Sequence, residues 1–91
     1  MSDAFAALAH PARRKILKLL GDGPMNAGEL ASSFELAKPT LSGHFAVLKA
    51  AALVTAERKG TSILYRLNKS VLEDALAELR TIVAAQPPPG A

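Results

Sequence analysis

Asn26 to Leu53 reads NAGELASSFELAKPTLSGHFAVLKAAAL, and this stretch decides the fold. Asn26 stands three residues before Glu29, the spacing at which each side chain satisfies the other's free backbone N–H at a helix start. Leu30, Ala31 and Phe34 then fall on one helical face. After three or four intervening residues, Leu41, Phe45, Leu48 and Ala52 recur at i, i+4, i+7 and i+11, one face of a second helix. Its opposite face carries Lys38, Thr40, Ser42, Gly43, Val47 and Ala50, a narrow and mostly small, polar surface. A short helix, a tight turn and a helix with small hydrogen-bonding side chains at its start are the layout of a helix-turn-helix.

Downstream, Leu53–Arg58 and Ser62–Leu67 both read as strands, the second alternating Ile63, Tyr65 and Leu67 against Ser62, Leu64 and Arg66. Lys59-Gly60-Thr61 makes the hairpin tip, with Gly60 supplying a positive φ. A two-stranded ribbon directly after a helix-turn-helix is a wing, and Arg58 and Lys59 at its tip suit phosphate or minor-groove contact. Polar residues are also ordinary at any hairpin tip.

Upstream, Asp3–Ala9 is a helical segment too short to stand alone, so Phe5 and Leu8 must pack on something. His10-Pro11 opens the next helix, with proline at the first helical position and Ile16, Leu17, Leu19 and Leu20 on its core side. Gly21 and Gly23-Pro24 end it. Arg13, Arg14, Lys15 and Lys18 decorate it as a solvated face, with Arg14 or Lys18 available to a phosphate. His10 reads as a cap residue.

At the other end, Ser70 and Glu73 have the spacing of a capping box. Leu72, Leu76, Leu79, Ile82 and Val83 then form a narrow apolar seam, which with Phe5 and Leu8 is expected to pair two copies of the chain. Residues 1–86 are expected to form a single domain, and the Pro-rich residues 87–91 a disordered tail.

The bulk composition agrees. A chain of 91 residues holds one small core, burying roughly 60–65% of its unfolded surface, so oligomerisation is a natural source of further stability. No uncharged run approaches the roughly 18 residues of a membrane span. MSDAFAALAH lacks a basic lead, so a cytoplasmic chain is expected. The net charge of +3 is uneven: residues 1–69 hold ten Lys/Arg against five Asp/Glu, whereas residues 70–91 hold one against three. A basic body with an acidic end points to a polyanionic partner.

Little remains for an enzyme or a metal. Cysteine is absent, which removes disulfides, thiolate sites and Cys nucleophiles together. His10 and His44 lie in separate elements beside no paired carboxylate, and the glycines follow no phosphate-loop pattern. Glu73, Asp74 and Glu78 are at best a weak hard-cation site and read as a solvated face. No enzyme and no cofactor are expected.

LAHPARRKILKLL, GELASSFELAKPTLSGHFAVLKAAALV and RKGTSILYRLN together resemble the ArsR-type winged-helix repressors, nearest to their SdpR-like autorepressor branch without a metal site. The resemblance runs from about Ala7 to Asn68. It implies a mainly α fold with a small β-hairpin: about five helices and a two-stranded wing, dimerising through the first and last helices. It also implies a homodimeric repressor of double-stranded DNA, reading an imperfect palindrome in the major groove. Carried over by position, Lys38, Pro39, Thr40, Ser42, Gly43 and His44 lie on the reading helix, with Arg58, Lys59 and Thr61 on the wing. His44 neighbours Phe45, so a structural role stands beside a DNA role for it.

Two departures weaken direct reading. Gly43 brings no side chain, and Ala37 stands where the family usually has a Ser or Thr cap. Each costs about 1 kcal/mol of helix stability. Readout is then expected to lean on DNA shape and on the wing. The family's metal positions hold Ala31, Ser32 and Ser33, and the last helix has no histidine, so neither site forms. Release is left to a sequestering protein, an organic inducer or concentration alone. Two other readings stay open: a protein-interaction module using Val47, Ala50 and Ala51, and a regulator with an untypical carboxylate metal site.

Overall fold

The helix boundaries follow local chemistry in the computed structural model, which describes residues 3–85 and residue 90. Asp3 caps α1 (Ala4–Leu8) by accepting a hydrogen bond from the Phe5 N–H at 2.9 Å. His10 caps α2 (Pro11–Leu20), whose proline occupies the first turn, where a missing N–H costs nothing. Ile16, Leu17 and Leu20 are its buried residues, and Leu19 packs at their edge. Gly21 closes the helix, its N–H shared between the carbonyls of Leu17 and Lys18.

The chain then makes a strand absent from the sequence reading, β1 (Met25–Asn26). Asn26 passes directly into α3 (Ala27–Ser32), where the reciprocal capping box forms as expected. The Glu29 N–H donates to Asn26 Oδ1 at 2.7 Å, and the Asn26 N–H donates to Glu29 Oε1 at 3.0 Å.

The second helix of the motif is α4 (Lys38–Ala50), and no side chain caps its start at Ala37. Leu41, His44, Phe45 and Leu48 are buried along its inner face. It ends in a Schellman closure: the Leu53 N–H reaches the Leu48 carbonyl and the Ala52 N–H reaches the Lys49 carbonyl, each at 3.0 Å. That closure needs a left-handed residue, and Ala52 supplies it at φ 59°, where glycine is the usual occupant.

β2 (Val54–Lys59) and β3 (Ser62–Leu67) form the hairpin, with Lys59 opposite Ser62 and Gly60-Thr61 as the two-residue turn. Gly60 has φ 61° and Thr61 does not share the positive φ, the pattern of a type II′ turn. β1 pairs with β3, Met25 opposite Tyr65, so the expected two-stranded ribbon is a three-stranded antiparallel sheet in the order β1-β3-β2.

The last helix, α5 (Lys69–Ala84), corrects a second expectation. Its N-cap is Asn68 and no side-chain cap bond forms, so the Ser70–Glu73 box is not made. The Asn68 N–H donates to the Leu53 carbonyl at 2.9 Å, which holds the chain at the sheet end and starts the helix before Ser70.

Ile16, Leu30, Leu48, Leu53 and Val54 are the largest fully buried side chains, so α2, α3, α4 and the sheet share one core. The Phe45 and Tyr65 rings stack within it, centroids 4.6 Å apart. Five helices and a small antiparallel sheet arranged this way are a winged helix-turn-helix. Of the expected tail, residues 87–89 and 91 lie outside the described residues.

Candidate nucleic-acid interface

The outer face of α4 is built by periodicity. Because Leu41, Phe45 and Leu48 are buried, Lys38, Pro39, Thr40, Ser42 and Gly43 all stand exposed at the helix start. Lys38 and Ser42 also border an open groove against Gly28 and Ala31 of α3. With Ala37 as cap and no acid in the first turn, the positive end of the helix dipole is neutralised by nothing on its own helix. Such an end favours an anion. A Cβ added at Gly43 would meet nothing within 4 Å, so this glycine leaves a bare strip of backbone rather than relieving a clash.

His44 does not belong to that surface. It lies three residues after Leu41 and four before Leu48, and so turns inward with them at 9% exposure. Its Nδ1 is 3.4 Å from Arg13 Nη1, and its ring centroid is 4.4 Å from that of His10. Burial, and then the neighbouring His10 and Arg13, hold the imidazole below the ordinary histidine value. The geometry gives His44 a structural place between α2 and the core.

The wing extends beside this surface. Strand alternation places Arg58 with Ala56, Ile63 and Tyr65 on the face continuous with the core. Lys59 falls on the other face with Glu57, and its ammonium lies 3.3 Å from the Glu57 carboxylate, both side chains well exposed. Thr61 is exposed at the turn. The two wing cations are thus inequivalent, which adjacency in the sequence concealed.

Of the four cations on α2, three are engaged within the chain. Arg13 Nε donates to the Ala7 carbonyl at 2.6 Å and its Nη2 to the Ala6 carbonyl at 3.2 Å. Arg14 Nη1 donates to the Leu8 carbonyl at 2.7 Å. Lys15 Nζ donates to the Ser33 carbonyl at 2.7 Å and sits 4.5 Å from the Phe34 ring centroid. These side chains bond carbonyls at the C-terminal ends of α1 and α3, where helix carbonyls run short of backbone donors. Nothing local in the sequence marks them for that task, because each reaches at least six residues along the chain. Lys18 remains exposed.

On α5 only Ala75 is buried, and Leu72, like Leu8 of α1, is half-buried against the core. Leu76, Leu79, Ile82 and Val83 are left open, from 44% exposure at Leu79 to 71% at Val83. Phe5 is half-buried on the adjoining α1. Val47 and Ala50 of the interaction-module reading are exposed on α4, but Ala51 is buried in the core and offers no surface. Among the described residues no three His, Asp or Glu side chains gather as a metal ion would require, and no helix is long and apolar enough to cross a membrane.

Known proteins share this arrangement. A family model described as a helix-turn-helix domain matches residues 8–57. The transcriptional repressor SdpR of Bacillus subtilis is 45% identical over 76 residues, covering 84% of each chain. The HTH-type transcriptional regulator Rv2034 of Mycobacterium tuberculosis is 41% identical over 86% of this chain and 69% of its own. Among solved structures, an ArsR-like transcriptional regulator from Rhodococcus sp. RHA1 superposes with a TM-score of 0.76 at 31% identity, over 88% of this chain and 76% of that one. A matched family domain over more than half the chain, and relatives this similar over most of it, lead to one conclusion: the chain belongs to the ArsR-type helix-turn-helix transcriptional repressors, which are regulators and not enzymes.

Proposed function

We propose that this chain is a cytoplasmic, homodimeric repressor that binds an imperfect palindrome in double-stranded DNA, without a cofactor or metal. The observation that carries the reading is the exposed, uncapped start of α4, where Lys38, Pro39, Thr40, Ser42 and Gly43 present small polar groups and backbone to one side. Lys38 suits a guanine edge or a phosphate, and Thr40 and Ser42 are short donors and acceptors for close approach. Arg58, Lys59 and Thr61 supply backbone contacts from the wing. Residues 1–86 act as one domain in this reading.

Dimerisation is supported by the exposed apolar stripe of α5, Leu76, Leu79, Ile82 and Val83, with Phe5, Leu8 and Leu72 at its edge. Contiguous apolar surface of this kind marks an interaction site. A two-fold axis through α5 would carry two copies of α4 to two half-sites. Release then falls to a sequestering protein, an organic inducer or falling concentration.

Selection of bound fragments from the source genome tests the reading. A preferred fragment is expected, with log affinity falling by about 0.9 per phosphate neutralised as log salt rises. No preference over random DNA at any salt would rule the specific repressor out. Ser42→Ala should relax preference at one base position and leave the salt slope in place.

A further inference from the structure

Arg13 is the side chain that ties three helices together. Its Nε and Nη2 donate to the Ala7 and Ala6 carbonyls of α1, and its Nη1 lies 3.4 Å from His44 Nδ1 on α4. A guanidinium only donates, so His44 Nδ1 accepts and the imidazole is neutral with its proton on Nε2. His10 obeys the same rule. Its Nδ1 accepts the Ala12 N–H at 3.1 Å as the cap of α2, and its ring lies against that of His44. Both histidines therefore act as acceptors at Nδ1, and His44 cannot keep that role once protonated.

We propose that Arg13, His44 and His10 are positioning residues for the recognition helix, forming a strut that acid releases, so that DNA binding loosens as pH falls. The inference rests on the DNA-binding reading for its consequence, though not for its geometry. Its sign is distinctive. A newly charged His44 would raise the positive charge of a DNA-binding chain and, by electrostatics alone, tighten its grip. The strut predicts the reverse, because protonation of His44 places an imidazolium against Arg13 and removes the acceptor that holds α4.

Few other charges bear on His44. From α2 they are Arg13 and the capping His10. α1 turns main-chain carbonyls toward Arg13, while its Asp3 is bound to the Phe5 N–H. On the sheet side Glu57 is paired with Lys59 at the wing, and Lys38 and Lys49 are exposed on α4 itself. Burial together with His10 and Arg13 lowers the His44 value from the ordinary 6.5. The unfolded chain then takes up the proton first. The stability that neutral His44 contributes is complete above about 6.5 and is lost as pH falls below it.

The test is DNA affinity of the full chain for its selected fragment, from about pH 8 to about pH 5.5 at constant ionic strength, with circular dichroism at each pH. Binding should weaken progressively as pH falls through this range. In the double variant His10→Asn/His44→Asn, the amide oxygens replace the Nδ1 acceptors and take up no proton, so the ratio of affinities between the two pH values should collapse toward one. Wild-type binding that tightens in acid as a matched control protein does would overturn the proposal. A second measurement needs no DNA: the His44 ring titration by NMR should move up toward the ordinary value in Arg13→Gln. An unmoved titration would also overturn the strut. Absence of any preferred fragment would instead refute the DNA reading, leaving the ring titration to decide the strut.

Discussion

The two helices of the motif begin in opposite ways. α3 starts with both reciprocal bonds of a capping box, Asn26 and Glu29 each serving the other's backbone. α4 starts at Ala37 with none, and with no acid in its first turn. Helix starts in folded chains are ordinarily satisfied by side chains, water or ligands. α3 is finished within the chain, while the start of α4 stays open on the exposed face where the proposed DNA contact lies. The bare backbone at Gly43 extends the same open surface by another turn.

Breaking the finished end should have the largest effect on stability. Asn26→Ala removes the side-chain acceptor of the Glu29 N–H and the partner that orients Glu29. It should cost about 1–2 kcal/mol, or a fall of roughly 4–8 °C in Tm per kcal/mol. Thermal unfolding checks this. A loss under a few tenths would mean that α3 is held by its buried Leu30 alone and that the contrast between the helix starts carries no energy.

Closing the open end is the sharper intervention. Ala37→Asp installs the missing cap and should stabilise the fold by about 1 kcal/mol. The same carboxylate occupies the end of α4 whose dipole favours an anion from outside the chain. DNA affinity should therefore drop on the order of tenfold, about 1.4 kcal/mol, while Tm rises. Ala37→Ser should raise Tm and spare most of the affinity. If Ala37→Asp bound DNA as tightly as the parent, the uncapped end would be an accident of sequence.

How legible each feature was depended on how locally it is determined. The Asn26–Glu29 box and the positive φ at Gly60 involve residues three or fewer apart, and the structure repeats both as read, although Lys59 joins β2 and shortens the tip to Gly60-Thr61. His44 carried two signals in conflict. Its spacing from Leu41 and Leu48 said inward and its polarity said outward, and Arg13, thirty-one residues away, supplies the partner that lets spacing win. Ser70 lost its cap for a similar reason, because the bond from the Asn68 N–H to Leu53 joins residues far apart in sequence. β1 is two residues long and exists only through pairing with β3. On α5 the apolar spacing was plain, but periodicity marks a face and not its occupant.

The far end of α4 offers the counterpart to its open start. There the Schellman closure is complete, yet Ala52 occupies a left-handed conformation at φ 59°. That conformation costs an L-residue roughly 1–2 kcal/mol. Ala52→Gly removes the strain but enlarges the unfolded ensemble, which offsets about 0.4–1 kcal/mol. A net gain of about 0.5–1 kcal/mol is expected in denaturant unfolding, with DNA affinity unchanged. Destabilisation would mean that the Ala52 methyl contributes packing larger than its strain.

The smallest effect lies in the wing, where the same contrast between engaged and open groups recurs on adjacent residues. Lys59 already has a carboxylate, Glu57, at 3.3 Å, whereas Arg58 lies on the opposite face of the ribbon. An exposed pair of this kind is worth about 0.2–1 kcal/mol, and DNA must displace it before a phosphate can use Lys59. Glu57→Gln should therefore tighten binding by roughly twofold to fivefold and steepen the salt dependence by up to about 0.9, one phosphate's share. Arg58→Ala should cost more affinity than Lys59→Ala in the parent, and the two losses should converge once Glu57 is gone. Equal losses in the parent, with no gain from Glu57→Gln, would show that the ion pair exerts no restraint and that the two wing cations act alike on DNA.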